Sequence, residues 1–197
     1  MSALFPLYRF ASIPRDLWEV RRDAALLTPA NQNASRAVER YLGREEWESR
    51  AQGHGMTFIG PPKSGKTFWA CQVLMERLAR SGDLLWMLEG QIDILRVDYQ
   101  WLASQSHFTP DTRLFSLVEN ARLLFVDNLW GVAPSPRIHA ALSFRRDMSR
   151  ATLLAFQADT PRAIPPPLLQ VLTLFSDVNV CVGLEESILP SLRSRDE

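Results

Sequence analysis

Two cysteines, Cys71 and Cys181, carry all the thiol chemistry of the 197-residue chain, and nothing about them resembles C-x-x-C spacing. Both lie in apolar runs that read as core elements, so neither a disulfide scaffold nor a zinc site is expected. The three histidines, His54, His107 and His139, show no metal-ligand spacing either. Charge of one sign is also lacking: 22 basic residues balance 22 acidic ones. No global basic field therefore advertises nucleic-acid binding. No apolar run is long enough to span a bilayer, and the start MSALFPLYRF lacks the basic-then-apolar order of a signal peptide. A soluble, cytoplasmic protein without membrane contact is expected. Internal repeats and low-complexity linkers are missing too.

What remains is an ordinary globular composition, with 46% hydrophobic and 22% charged residues. That length suits one sizeable core and leaves little room for a second. Residues 1–32 read as an N-terminal extension, punctuated by Pro6, Pro14 and Pro29. Residues 33–190 read as the folded domain and 191–197 as a tail. A helix is expected after Asn33 as N-cap, with Ala37, Val38, Tyr41 and Leu42 on one face. Five buried strands are expected at MTFI (56–59), DLLWMLE (83–89), RLLFVD (122–127), TLLAFQAD (152–159) and NVCVGL (179–184). Helical runs separate them, including one over 92–105 that sets Ile92, Leu95, Tyr99 and Leu102 roughly in phase. Strand and helix in alternation predict an α/β fold, a five-stranded parallel sheet with helices on both faces.

The stretch GPPKSGKT (60–67) carries the most chemistry. It satisfies G-x-x-x-x-G-K-[ST] without a mismatch, between an expected strand and an expected helix. A tight turn into a helix N-terminus directs backbone N–H groups at phosphate oxygens. Gly60 and Gly65 open the two positions where a side chain would interfere, with Pro61, Pro62, Lys63 and Ser64 between them. Lys66 is placed to meet the β and γ phosphates, and the Thr67 hydroxyl to ligate Mg²⁺. In the following helix Ala70, Leu74 and Leu78 recur at i, i+4 and i+8, with Cys71 and Met75 widening the face.

A phosphate loop needs a carboxylate beside it to hold the metal's water shell. Asp127, ending the apolar run RLLFVD, fits that role. The next residue is Asn128, whose amide can hold a water but cannot accept its proton. Hydrolysis is therefore expected to be slow or absent, and Asp98, Glu89 and Glu119 are not separated by spacing as substitutes. Within TLLAFQAD, Gln157 at the end of the core strand is a candidate to sense a γ-phosphate or orient water, or is simply a polar strand terminus. The cluster Arg145, Arg146 and Arg150 reads as a solvated helix face more readily than as a DNA contact. Four tryptophans, Trp18, Trp47, Trp101 and Trp130, fall in expected exposed segments.

In order and spacing these parts resemble the DnaC/IstB family of AAA+ proteins, the bacterial helicase loaders and their transposition-helper relatives. The likeness runs through YRFASIPRDLW, NASRAVERYL, GPPKSGKT, LLFVDNLWG and LLAFQAD, most of the chain. The resemblance implies an AAA+ core that binds ATP with Mg²⁺. It also implies that Ile13 and Pro14, within Ile13-Pro14-Arg15, lie near the adenine, and that LLAFQAD is the sensor-one strand. Partners implied are a replicative helicase or another AAA+ subunit, with single-stranded DNA as a further one. Three departures stand out: Asn128 replaces the family's usual Glu, Gln157 stands where Asn is common, and PPPLLQVLTLFSD holds no arginine. The resemblance thus implies an ATP-dependent adaptor in DNA replication or mobile-element biology, with weak or no hydrolysis. Two readings stand beside it: a degenerate scaffold for protein contacts, and a slow ATPase or P-loop kinase.

Overall fold

The computed structural model describes residues 5–19, 29–43, 55–81, 94–107, 112–159, 161–175 and 179–182. Its element order is α1 (Phe5–Phe10), a 3-10 turn (Arg15–Leu17), α2 (Pro29–Gly43), β1 (Met56–Gly60) and α3 (Lys66–Ser81). There follow β2 (Ile94–Asp98), α4 (Tyr99–His107), α5 (Thr112–Asn120), β3 (Leu123–Leu129) and α6 (Pro136–Asp147). The order closes with β4 (Ala151–Gln157), a 3-10 turn (Pro161–Ala163), α7 (Pro166–Leu174) and β5 (Asn179–Cys181). The strands form one five-stranded sheet in the order β2-β3-β4-β1-β5, and every pairing is parallel. The expected α/β fold with helices on both faces is what the chain adopts.

Strand alternation explains the two-sided core. Side chains point to opposite faces at every step, so Leu123 and Phe125 of β3 enter one cluster while Leu124 and Val126 enter the other. Likewise Leu153 and Ala155 of β4 separate from Leu154 and Phe156. The first cluster receives α1, α2 and α3, including Leu7, Tyr8, Val38, Tyr41, Trp69 and Leu74. The second receives α4 to α7, including Leu102, Phe115, Ile138, Leu142 and Val171. A sheet covered this way exposes no apolar face and reads in sequence as continuous hydrophobic runs.

Three sequence expectations need correction. Of the helix expected over 92–105, the described part is a strand, β2, from Ile94, followed by a helix from Tyr99. The periodicity misled because Leu95 and Val97 on the strand face the same core as Tyr99 and Leu102 on the helix. Strand and helix thereby counterfeit one amphipathic stripe. Helix α2 begins at Pro29 rather than after Asn33, because proline's fixed φ suits a first helical turn; its expected inner face, Ala37, Val38, Tyr41 and Leu42, is buried. The strand expected over 83–89 lies outside the described residues, and β2 is a strand that the sequence reading did not expect.

Arg145 is the third correction. It is not solvated: its side chain is fully buried (0% exposed). Its guanidinium donates to Thr152 Oγ1 (3.0 Å) and to the carbonyls of Val118 (2.8 Å), Glu119 (3.2 Å), Ala121 (2.6 Å) and Ala151 (2.6 Å). Arg150 donates to the Glu119 carbonyl (2.7 Å) and Asn120 Oδ1 (2.9 Å), and Arg146 is exposed. Arg145 and Arg150 therefore clamp the end of α5 to the start of β4.

Candidate nucleotide-phosphate site

The loop 60–67 joins β1 to α3 at the C-terminal edge of the parallel sheet, where β1 is flanked by β4 and β5. Open parallel sheets hold ligands at this edge. Gly60 is required by close packing: a Cβ there would stand 2.2 Å from the Val182 carbonyl oxygen and 2.7 Å from Ser64 Oγ. Gly65 is required by conformation, with φ of +96°. Lys63, at φ of +62°, completes a turn that leads straight into the first turn of α3. Pro61 is half-buried, whereas Pro62 and Lys63 are exposed.

Lys66 is 8% exposed. Its ammonium donates to the carbonyls of Gly60 (2.8 Å) and Pro61 and to Ser64 Oγ (3.3 Å), so the charge lies against the loop itself. Burial lowers its pKa, and the negative charge of Asp127 works in the opposite direction. Thr67 donates its hydroxyl to both carboxylate oxygens of Asp127, at 3.0 and 3.1 Å. Asp127 is 4% exposed and also accepts the backbone N–H of Asn128 at Oδ1 (2.9 Å). Two motif residues separated by 60 positions in sequence thus meet directly.

The chief surprise is Arg96. From the middle of β2 its Nη2 and Nε donate to Asp127 Oδ2 at 2.7 and 3.2 Å, an ion pair with the arginine side chain 20% exposed. Its Nη1 donates to the Ser12 carbonyl (3.4 Å) and its backbone N–H to the Ala11 carbonyl (3.0 Å). The helical pattern over 92–105 concealed this residue. The usable signal was a cation two positions before an Asp at the end of a β-branched run, ILRVD.

Asn128 has a φ of +64°, a left-handed conformation that Asn tolerates better than most residues. Its Nδ2 donates to Asp98 Oδ2 (3.2 Å), and Asp98 Oδ1 caps α4 by accepting the Trp101 N–H (2.9 Å). Asp98 and Asp127 are direct register partners. Of the three carboxylates left open by sequence, Asp98 is therefore beside the site. Glu119 sits before β3, at the opposite edge of the sheet, and Glu89 lies outside the described residues. Gln157 is the register partner of Gly60, and the N–H of the next residue, Ala158, donates to the Gly60 carbonyl (3.1 Å).

Ile13 is buried in the first core cluster, and its carbonyl accepts the Trp18 indole N–H (2.9 Å). Pro14, half-buried, caps the first 3-10 turn. The pair adjoins Ser12, which Arg96 links to Asp127. Trp18 is thus a half-buried structural residue rather than an exposed one. Trp101 and Trp130 are exposed at 49% and 46%, and Trp47 lies outside the described residues.

As a site for ATP with Mg²⁺, the donor set fits in kind. Thr67 and Asp127 present hard oxygens in direct apposition, and hard oxygens are what Mg²⁺ takes. The carboxylate's charge is shared with Arg96, however. The Arg-rich lid of a phosphoryl-transferring kinase is not supplied by the α6 cluster, because Arg145 is committed at the far edge of the sheet. No described helix is long and apolar enough to cross a membrane.

No protein-family model matches the chain, and no curated protein matches it by sequence. Solved structures do match. The DnaC helicase loader is similar over 86% of this chain and 99% of its own, with a TM-score of 0.64 and 16% identity. DnaI is similar over 86% of this chain and 94% of its own, with a TM-score of 0.65 and 14% identity. A primosome component of Streptococcus pyogenes serotype M3, itself described only as a candidate, covers 90% of this chain and 92% of its own, at 0.64 and 13%. The replication initiator DnaA, bound to AMPPCP and single-stranded DNA, matches 83% of this chain over 49% of its own length, at 0.57 and 11%. The chain has a DnaC-like AAA+ fold.

Proposed function

We propose that the chain is an ATP-binding AAA+ adaptor of the DnaC/IstB kind, acting in DNA replication or mobile-element biology with weak or no ATP hydrolysis. The observation that carries this reading is the contact of Thr67 with Asp127 at the C-terminal sheet edge, beside an intact glycine loop against which the Lys66 ammonium is held. A residue set kept in this arrangement suits phosphate oxygens and a divalent cation. Mg²⁺, held through Thr67 and Asp127, would neutralise phosphate charge. Asn128 in place of a carboxylate removes the proton acceptor adjacent to Asp127, which favours binding over turnover.

Binding would then act as a switch, ordering the surface near Asp127 and Gln157 for a partner. The similarity to helicase loaders makes a replicative helicase the partner of choice, and another AAA+ subunit or single-stranded DNA a second. Titration with a fluorescent ATP analogue and Mg²⁺ tests the site. Lys66→Ala should weaken binding by at least about tenfold, the worth of one charge-assisted contact. Undiminished affinity in that variant would remove the site assignment.

The scaffold reading is favoured by one observation, the exposed rings of Trp101 and Trp130. The Gln100 side chain donates to the Trp130 carbonyl (2.7 Å), which places the two rings' segments side by side next to the phosphate edge. Aromatic anchors of this type serve protein contacts. The two readings are compatible if nucleotide controls that contact.

A further inference from the structure

Asp127 is served by two cations of different origin. One is the ion the loop chemistry calls for; the other, Arg96, is covalently part of the chain. We propose that Arg96 is a resident cation of the nucleotide site, whose guanidinium supplies phosphate-neutralising charge and makes nucleotide binding weakly dependent on Mg²⁺. This rests on the nucleotide-site reading above and goes beyond it by assigning a residue that the motifs do not contain.

Four observations lead there. Arg96 reaches Asp127 Oδ2 through two nitrogens, at 2.7 and 3.2 Å, so the contact is a fork rather than a point charge. The same Asp127 oxygen accepts the Thr67 hydroxyl at 3.1 Å, so one carboxylate separates the guanidinium from the first helical turn of the phosphate loop. The arginine is 20% exposed and the aspartate 6% by side chain, which weakens solvent screening of the pair. Finally, the third guanidinium nitrogen is turned to the Ser12 carbonyl and the backbone to Ala11. The side chain is thus fixed from both sides, as a positioned binding group should be.

The charge argument follows directly. A divalent cation approaching Asp127 meets a carboxylate whose charge is already matched, so its gain from that carboxylate is reduced. Because Arg96 offsets the Asp127 carboxylate, a nucleoside triphosphate approaching the loop meets the Lys66 charge without an unmatched anion beside it. Both effects act in the same direction: the metal matters less, and the arginine more. Because Arg96 also holds the Ser12 carbonyl, the segment bearing Ile13 and Pro14 is connected to the phosphate end by a single side chain.

The test is a titration of the full chain with a fluorescent ATP analogue, in excess EDTA and in Mg²⁺, with Arg96→Gln and Arg96→Lys alongside. Wild-type affinity is expected to change by no more than about fivefold between the two conditions, against the tenfold or more that a lost charge-assisted contact represents. Arg96→Gln should lose about tenfold or more in EDTA and regain much of it in Mg²⁺, since Asp127 is then free for the metal. Arg96→Lys should fall between the two.

Strict Mg²⁺ dependence of the wild-type chain, on the order of a hundredfold, would overturn the proposal while leaving the nucleotide site standing. An equal loss in both conditions for Arg96→Gln would likewise overturn it, because a purely structural residue behaves so. Absence of binding in both conditions would refute the nucleotide site and this proposal together. The wild-type comparison needs no variant, so a Gln variant that fails to fold does not rescue or sink the idea.

Discussion

Arg145→Met should be one of the most damaging single substitutions in the chain, although the residue touches no ligand. The wild-type guanidinium is fully buried and serves five acceptors, three of them in wholly buried bonds: the Val118 and Ala121 carbonyls and Thr152 Oγ1. Methionine fills the aliphatic volume but offers no donor. Three stranded acceptors at about 1 to 3 kcal/mol each set the gross loss. Relief from holding a guanidinium out of water returns several kcal/mol of that. The strain of holding it there is visible in its pKa, which burial and the nearby Arg150 press down to about 9. From the middle of the gross range, a net loss of about 3 kcal/mol remains.

Against a total stability of roughly 5 to 15 kcal/mol, that loss is large. Urea unfolding followed by circular dichroism should show the midpoint falling with little change in slope. In thermal terms it corresponds to a drop of roughly 10 °C for a chain of this size. Arg145→Lys should lose less, because a point charge still serves some of the five acceptors. Nucleotide affinity of the folded fraction should not change, since Arg145 lies at the other edge of the sheet from Asp127. A stability within about 1 kcal/mol of wild type for Arg145→Met would refute the reasoning, by showing that water replaces the lost donors.

Two further outcomes are expected. The Cys71 thiol is wholly buried and burial pushes its pKa up to about 12, so at pH 8 it should resist iodoacetamide in the native protein and react on unfolding; peptide mass spectrometry distinguishes it from Cys181, and labelling of native Cys71 at a free-thiol rate would contradict its burial. Asn128→Glu alone should not restore hydrolysis, because the new carboxylate would face Asp98, now 3.2 Å from the Asn128 amide, at a φ of +64°. Repulsion raises the pKa of one acid and the left-handed backbone costs about 1 to 2 kcal/mol. The pair Asp98→Asn with Asn128→Glu keeps the helix cap and removes the repulsion, and phosphate release should then exceed wild type by about a hundredfold if a positioned base is what is missing. Equal rates for single and double variants would rule out the electrostatic argument.

The loop from Gly60 to Thr67 was legible because its chemistry depends on local spacing, and Asp127 because it interrupts a buried apolar run, although the strand itself continues to Leu129. The layered fold was legible for a related reason: runs such as LLFV and LLAF bury both faces, which only a covered parallel sheet requires. Arg96 and Arg145 were not legible, and for one physical cause. Each acts through partners at least 24 positions away, Asp127 for Arg96 and the α5 carbonyls for Arg145. A charged residue next to apolar ones reads as surface when its partner is invisible. The helix read over 92–105 added to this, because it hid the strand that carries Arg96 to Asp127.

The two arginines also show how one sheet sorts charge. In a parallel sheet with helical crossovers, helix N-termini gather at the C-terminal edge and helix C-termini at the other. The C-terminal turn of α5 leaves carbonyls without helical partners, a partial negative charge that calls for a cation. Arg145 answers it with bonds to Val118, Glu119 and Ala121. At the opposite edge the N-terminus of α3 carries partial positive charge, reinforced by Lys66, and calls for an anion. Asp127 supplies part of that, through Thr67, and Arg96 balances what is left over. An arginine at the carbonyl-rich edge is therefore structural by necessity. At the amide-rich edge Arg96 cancels the Asp127 carboxylate, which leaves the positive field of the α3 N-terminus and Lys66 unopposed, and a polyphosphate is the ligand whose charge would satisfy it.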